Sequence, residues 1–170
     1  MDYSKVQIDL LKARYKEMTG GNLARILITE PFMYEGTEYT MFSDSFRGVW
    51  VPTACILVDV GALTKNRPVM KSLFNIDDLD FKTDKLQPRE CREVFNSKGK
   101  SLGMEQYFYK LSVDNDRYYS VANLKLITQW FGKLNELQFY QSNPLGPIWI
   151  YEYDVPLGLV LPIKKKLNAE

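Results

Sequence analysis

The chain has few residues that could do chemistry, because histidine is absent from its 170 residues. Histidine is the commonest general base, the usual partner of a nucleophilic serine or cysteine, and the commonest zinc ligand. Its absence excludes catalytic triads, cysteine–histidine pairs and histidine-bound metal centres. What remains is carboxylate chemistry or no chemistry.

The carboxylates offer one pattern of interest. Asp59 is followed later by Asp80 and Lys82, an order that resembles the acid, acid-x-Lys set with which some nucleases bind magnesium. That chemistry needs a strand hairpin, whereas the sequence around Asp80 is polar and typical of a loop. A magnesium-dependent nuclease is therefore the less favoured alternative. We predict a chain that is not an enzyme and that has no catalytic residues, bound metal or cofactor.

Cysteine usage and hydropathy bear on the setting of the protein. The two cysteines, Cys55 and Cys91, fit no metal or redox spacing, which predicts a reduced, cytoplasmic environment. No apolar run approaches the roughly 20 residues that span a bilayer, and the first residues lack a signal-peptide pattern. We therefore expect no membrane association. With a net charge of +1, the chain can contact DNA only if its basic residues are concentrated on one surface.

Two amphipathic helices are predicted. One covers residues 4–19, and the other begins at Ser120, as its N-terminal cap, and ends at about Leu134. Each has an apolar side and a polar side at the helical period. The polar sides carry lysines, and a row of lysines on a helix is either solvated or faces phosphates. The candidate DNA-facing residues are Lys5, Lys12, Lys16, Lys125 and Lys133.

Runs typical of strands follow each helix. They cover residues 23–29, 37–43, 47–51 and 54–60 after the first helix, and 136–141, 147–153 and 157–163 after the second. Residues 37–43 and 47–51 are predicted to form a hairpin around Ser43-Asp44-Ser45. Residues 107–113 form a further predicted strand before the second helix. Both sets include a strand that ends at a proline and both close with glycine, three apolar residues and proline, which indicates an internal duplication.

The predicted fold class is therefore α+β, with two helix-plus-antiparallel-sheet repeats in a single domain of residues 1–170. The repeats cover about residues 4–60 and 107–164, and both helices lie on one face. Residues 61–106 are dense in charge and turn formers. They are predicted to be a long polar connection with a short helix after Pro88, over residues 89–95.

The chain resembles a bacterial sliding clamp, the β subunit of DNA polymerase III. Residues 159–164 (LVLPIK) resemble the apolar-Pro-apolar-basic motif that closes the last clamp domain, and residues 42–47 (FSDSFR) resemble an acidic turn followed by a basic residue. The resemblance is best over about residues 119–164. It implies a DNA-clamp-like, processivity-type fold, in which helices face double-stranded DNA through basic side chains without reading its sequence.

The same resemblance implies a hydrophobic pocket that captures peptide motifs of replication and repair proteins. It places Leu161, Pro162 and Ile163 at the wall of that pocket; the alternative is that they are ordinary packing residues at a strand end. A clamp chain has three such domains and dimerises into a ring, whereas this chain has room for one. Encircling DNA would therefore require a homo-oligomer.

These features favour a non-enzymatic clamp-like domain that associates with DNA or with replication and repair proteins. The alternative is a protein–protein interaction adaptor that makes no DNA contact.

Overall fold

The computed structural model describes residues 1–19, 27–57, 69, 84–111 and 117–165, without the side chains of residues 13, 14 and 16–18. The chain divides into two compact units, Met1–Leu79 and Asp80–Glu170. One domain over the whole chain stays a prediction. None of the helices in these described ranges is long and apolar enough to cross a membrane.

The described part of the first unit is a helix followed by four strands. These are α1 (Tyr3–Met18), β1 (Leu27–Ile28), β2 (Phe32–Tyr34), β3 (Thr37–Ser43) and β4 (Arg47–Pro52). Strand β3 is central, because β1, β2 and β4 all pair with it in antiparallel register. The predicted hairpin of residues 37–43 and 47–51 is confirmed. The prediction of a strand over residues 54–60 is wrong for residues 54–57, the part that the structure describes. Thr53–Cys55 forms a 3-10 turn there.

Gln7 joins α1 to the segment that follows β4. Its side chain is only 2% exposed, and its Nε2 donates a hydrogen bond to the carbonyl of Cys55 at 2.9 Å. Its Oε1 accepts a hydrogen bond from the backbone N–H of Leu57 at 2.7 Å. A buried amide stabilises a fold when both of its ends are paired. The polar residue on the apolar side of α1 therefore fixes the helix in the first unit.

The turn between β3 and β4 is organised by Asp44, the acidic residue of the FSDSFR segment. Its Oδ1 accepts hydrogen bonds from the backbone N–H groups of Phe46 and Arg47, at 3.2 and 3.1 Å. Its Oδ2 lies 2.9 Å from Nε of Arg47, which is 5% exposed. Burial lowers the pKa of Arg47, and the Asp44 carboxylate opposes that effect. In this structure the acidic-basic pattern builds a turn.

The second unit contains six antiparallel strands in its described residues. They are β5 (Asp84–Phe95), β6 (Ser101–Lys110), β7 (Ser120–Asn123), β8 (Gln138–Gln141), β9 (Ile148–Glu152) and β10 (Val155–Val160). Within this unit the strand order is β10-β9-β8-β5-β6-β7. Helix α2 (Leu124–Trp130) follows β7 and buries Ile127 and Trp130. Phe108 and Phe139 pack their rings 4.9 Å apart in the core.

The predicted fold class, α+β with two helix-plus-sheet repeats in a clamp-like arrangement, is wrong. Antiparallel sheet dominates, with ten strands and two α-helices in the part of the chain that the structure describes. Helix α2 is shorter than predicted because residues 120–123 pair with β6 as a strand. Asn123 caps it instead of Ser120, since Asn123 Oδ1 accepts a hydrogen bond from the backbone N–H of Lys125 at 3.0 Å.

The prediction of a polar connection over residues 61–106 is wrong from Asp84 onward. That part contains β5 and the first half of β6, and the helix predicted at residues 89–95 is part of β5. Pro88 lies at an irregularity of the β5–β6 register, between Pro88 and Cys91. A proline, which lacks an N–H donor, is tolerated at such a bulge. Residues 61–68 and 70–83 lie outside the described ranges.

Candidate binding site

The second unit contains a cavity of about 390 Å³ at the edge of its sheet. Three segments form its walls: residues 118–121 at the start of β7, residues 143–145 between β8 and β9, and residues 162–165 after β10. The apolar and aromatic side chains among them are Tyr118, Tyr119, Val121, Pro144, Leu145, Pro162 and Ile163. A concave, mostly apolar site with a few polar groups is typical of ligand binding.

The C-terminal segment, residues 161–165, forms one wall because it is held against β7. The backbone N–H of Ile163 donates a hydrogen bond to the carbonyl of Val121 at 2.7 Å. Ile163 and Tyr118 also pack against a buried cluster that includes Tyr107. Among the described strands, β7 is the last one of this unit's sheet, so the segment occupies part of an edge that no described strand covers.

Lys165 ties the end of the C-terminal segment to β6. Its ammonium group forms an ion pair with the carboxylate of Glu105 and donates to the hydroxyl of Tyr107 at 3.0 Å. The Tyr107 hydroxyl in turn donates to Glu105 at 3.3 Å. Burial acts to lower the pKa of Lys165, but the hydrogen bonds to Glu105 and Tyr107 prevail and hold it above its usual value. Lys165 therefore remains a cation, as this contact requires.

The loop between β8 and β9 is fixed by its own hydrogen bonds. Asn143 Oδ1 accepts from the backbone N–H of Leu145 at 3.0 Å, and the N–H of Gly146 donates to the carbonyl of Asn143 at 3.0 Å. Gln141 Nε2 donates to the carbonyl of Gly146 at 2.7 Å. This turn chemistry is characteristic of asparagine. It presents Leu145, which is 72% exposed, at the rim of the cavity.

Two polar groups in the cavity wall lack partners in the described chain. Ser120 is 4% exposed, and its Oγ is buried without a hydrogen bond; leaving such a group unpaired costs about 1–3 kcal/mol. Lys164 is exposed and forms no ion pair with any described residue. No lining residue is acidic among those the structure describes. Because Lys164 is the exposed group of the two, the site suits an apolar ligand that carries a negative charge.

The structure places two of the three predicted pocket residues in this cavity. Pro162 and Ile163 line it, whereas Leu161 does not and is 43% exposed. Sequence reasoning missed the walls formed by residues 118–119 and 143–145. The Asn-Pro-Leu-Gly turn between two strands was the available signal, but only the folded sheet brings it beside the C-terminal segment.

The predicted DNA-facing lysines are divided between the two units. Lys5, Lys12 and Lys16 belong to α1 in the first unit, and Lys125 and Lys133 belong to the second unit. Four of these lysines are exposed: Lys5, Lys12, Lys125 and Lys133. The side chain of Lys16 is not among those that the structure describes. Lys133 Nζ lies 3.9 Å from a carboxylate oxygen of Glu136. DNA contact by these lysines stays a prediction.

The residues considered for nuclease chemistry, Asp59, Asp80 and Lys82, lie outside the described ranges. Within those ranges, no group of three or more cysteine and carboxylate side chains is placed to hold a metal ion. Cys55 and Cys91 are both free thiols. The absence of enzymatic activity therefore stays a prediction.

No protein-family model, curated protein or solved structure matches the chain. The relationship to sliding clamps accordingly stays a prediction.

Proposed function

We propose that this chain is a non-enzymatic protein-binding domain, which captures a short apolar segment of a partner protein in the cavity beside β7. The observation that carries the proposal is the cavity itself, about 390 Å³ in volume and lined mainly by tyrosine, proline and aliphatic side chains. Its volume falls within the range of roughly 300–1,000 Å³ that is usual for ligand sites. A few apolar side chains of a peptide fill such a volume.

The charge at the rim of the cavity favours a peptide over a wholly apolar ligand. Lys164 lines the cavity, and its exposed ammonium group can pair with an acidic side chain of a peptide. We therefore assign the ligand as an apolar segment that carries a carboxylate. The resemblance to sliding clamps favours replication and repair proteins as the partner class.

Selection from a randomised short-peptide library displayed on phage tests the proposal. We expect the selected peptides to combine apolar residues with an aspartate or glutamate. Titrated into the 15N-labelled chain, they should shift the amide signals of residues 118–121, 143–145 and 162–165. A library that yields no binder, or binders whose shifts fall elsewhere, would contradict the proposal.

Matched variants separate binding at the cavity from general effects. Leu145→Ser removes an exposed apolar side chain from the rim and should weaken binding at least about tenfold. Leu57→Ser removes a leucine that is 69% exposed in the first unit and should leave affinity unchanged. Lys164→Glu should abolish the preference for acidic peptides over their amide counterparts. Equal binding by all three variants would rule out the cavity as the site.

A further inference from the structure

Strands β5 and β6 form a hairpin that extends beyond its neighbours. β8 pairs with β5 only at residues 84–86, and β7 pairs with β6 only at residues 105–108. Residues 91–104 therefore form a two-stranded ribbon with no third strand among those described, which we call the hairpin arm. A two-stranded hairpin is marginally stable by itself in water. Such an arm gains stability when another surface covers it.

The hairpin arm exposes three large apolar side chains. Phe95 is 54% exposed, Leu102 60% and Met104 37%. The register pairs Glu93 with Met104 and Phe95 with Ser101. The register shifts between Val94 and Phe95, where Leu102 has no partner in β5. Alternate residues along β5 share a face, so Phe95 lies on the face of Glu93 and of its partner Met104. Apolar side chains concentrated in this way are characteristic of a protein–protein interface.

The two ends of this apolar surface carry opposite charges. Glu93, on the same face as Phe95, is exposed and forms no ion pair with a described residue. Lys98 and Lys100 lie at the tip and likewise form none there, and residues 94–104 contain no acidic residue. The arm thus has a basic tip and an acidic group nearer its base.

Both ends of the hairpin arm are held in shape by hydrogen bonds. At the tip, Asn96 Oδ1 accepts from the backbone N–H groups of Lys98 and Lys100, each at 2.9 Å. At the base, Cys91 Sγ donates to Gln106 Oε1 at 2.8 Å. A surface that is already ordered loses less conformational freedom on binding.

We propose that the hairpin arm is a self-association surface, on which the arm of a second copy of this chain lies antiparallel about a twofold axis. In a twofold interface the same patch is used by both copies, so the apolar side chains of one arm cover those of the other. The basic tip of each arm then lies toward Glu93 of the other copy. A nucleic acid fits less well, because Glu93 would repel its phosphates. The surface is separate from the cavity and does not rest on the proposed function.

Sedimentation equilibrium of the full chain over a range of concentrations tests the proposal. The wild type should show a monomer–dimer equilibrium, and Phe95→Ser combined with Leu102→Ser should weaken dimerisation at least about tenfold. Leu57→Ser, which changes an exposed leucine outside both the arm and the cavity, is the matched control and should dimerise as the wild type does. Unchanged amide spectra of the second unit's core verify that each variant is folded.

A charge exchange tests the orientation of the arms. Glu93→Lys alone should weaken dimerisation, because three cations would then meet. Glu93→Lys together with Lys98→Glu and Lys100→Glu should restore it. A chain that stays monomeric at high concentration, a dimer indifferent to the Phe95 and Leu102 changes, or a combined variant no better than Glu93→Lys would overturn the proposal. So would a monomer that binds a short DNA duplex through the arm.

Discussion

The backbone N–H of Ile163 donates a hydrogen bond to the carbonyl of Val121 at 2.7 Å, and this contact defines the candidate binding site. Both residues line the cavity. One wall is thus a strand of the sheet, and the other is an extended segment held beside it by this hydrogen bond and by the contacts of Lys165. The cavity exists only while that segment stays in place.

Lys165→Ala should loosen the C-terminal segment. The variant loses the ion pair to Glu105 and the hydrogen bond to Tyr107, while the lysine is partly exposed, so stability should fall by only about 0.5–1 kcal/mol. Hydrogen exchange at the amide of Ile163 should nevertheless accelerate several-fold, and affinity for the selected peptides should decrease. Lys164→Ala, next in the segment, is the control for exchange and should keep the wild-type rate. Equal exchange rates in the two variants would show that Lys165 does not hold the segment.

Gln7→Ala should destabilise the first unit by about 1 kcal/mol, because it removes two partly buried hydrogen bonds, to the carbonyl of Cys55 and from the N–H of Leu57. The amide of Leu57, which donates to Gln7, should lose protection from hydrogen exchange. Gln87→Ala, at an exposed position, should have no such effect. Urea unfolding monitored by fluorescence measures the difference, and identical midpoints for the two variants would refute the role of Gln7.

The carboxylate of Glu90 should make stability dependent on acidic pH. It accepts hydrogen bonds from the Tyr109 hydroxyl at 2.7 Å and from the Arg92 guanidinium at 2.9 Å. These bonds hold the pKa of Glu90 below its ordinary value of 4.5. When the pKa of a carboxyl group is lower in the folded chain than in the unfolded chain, its ionised form stabilises the fold. This stabilisation is fully present at a pH above the unfolded pKa and is lost as the pH falls through the folded pKa.

The wild type should therefore lose stability more steeply than Glu90→Gln as the pH falls from about 5 to 3. Urea midpoints measured across that range give the comparison, and the carboxyl 13C shift of Glu90 reports its titration directly. Parallel pH profiles, or a Glu90 titration at or above the ordinary value, would contradict this assignment.

The predicted DNA-facing lysines can be tested as a set. If they contact phosphates, replacing Lys12, Lys16, Lys125 and Lys133 with glutamate should abolish low-salt binding to a DNA duplex. Each lost phosphate contact should also make the slope of log K against log salt concentration less steep by about 0.9. Lys98→Glu with Lys100→Glu, at the tip of the hairpin arm, serves as a control with lysines outside the predicted set. If the wild type does not bind DNA at low salt, the predicted association with DNA is excluded. Only the predicted association with proteins then remains.

Local sequence patterns predicted the parts of the fold that local chemistry determines. The β3–β4 hairpin was predicted because a Ser-Asp-Ser turn separates two apolar runs, and Asp44 indeed organises that turn. Strands β8, β9 and β10 occur in the predicted order. Helix α2 was predicted too long, since pairing of residues 120–123 with β6 is a non-local interaction that overrides helical periodicity.

The larger errors of the sequence-based predictions also come from non-local strand pairing. The charged sequence of β5 looks like a loop, because residues that face solvent on both sides of a ribbon carry no alternating hydrophobic signal. Of the candidate site, Pro162 and Ile163 were predicted through the resemblance, whereas Ser120 was predicted as a helix cap. Its buried, unpaired hydroxyl becomes visible only when the cavity is known.

The position of the C-terminal segment beside β7 also bears on solubility. An uncovered edge strand offers free N–H and C=O groups on which other chains can add strands, and proteins commonly cover such edges with a loop. Because Ile163 pairs with Val121, the segment that shapes the cavity also shields the sheet from uncontrolled strand addition. A ligand that displaced this segment would therefore expose an aggregation-prone edge, so the cavity is better suited to ligands that leave the segment in place.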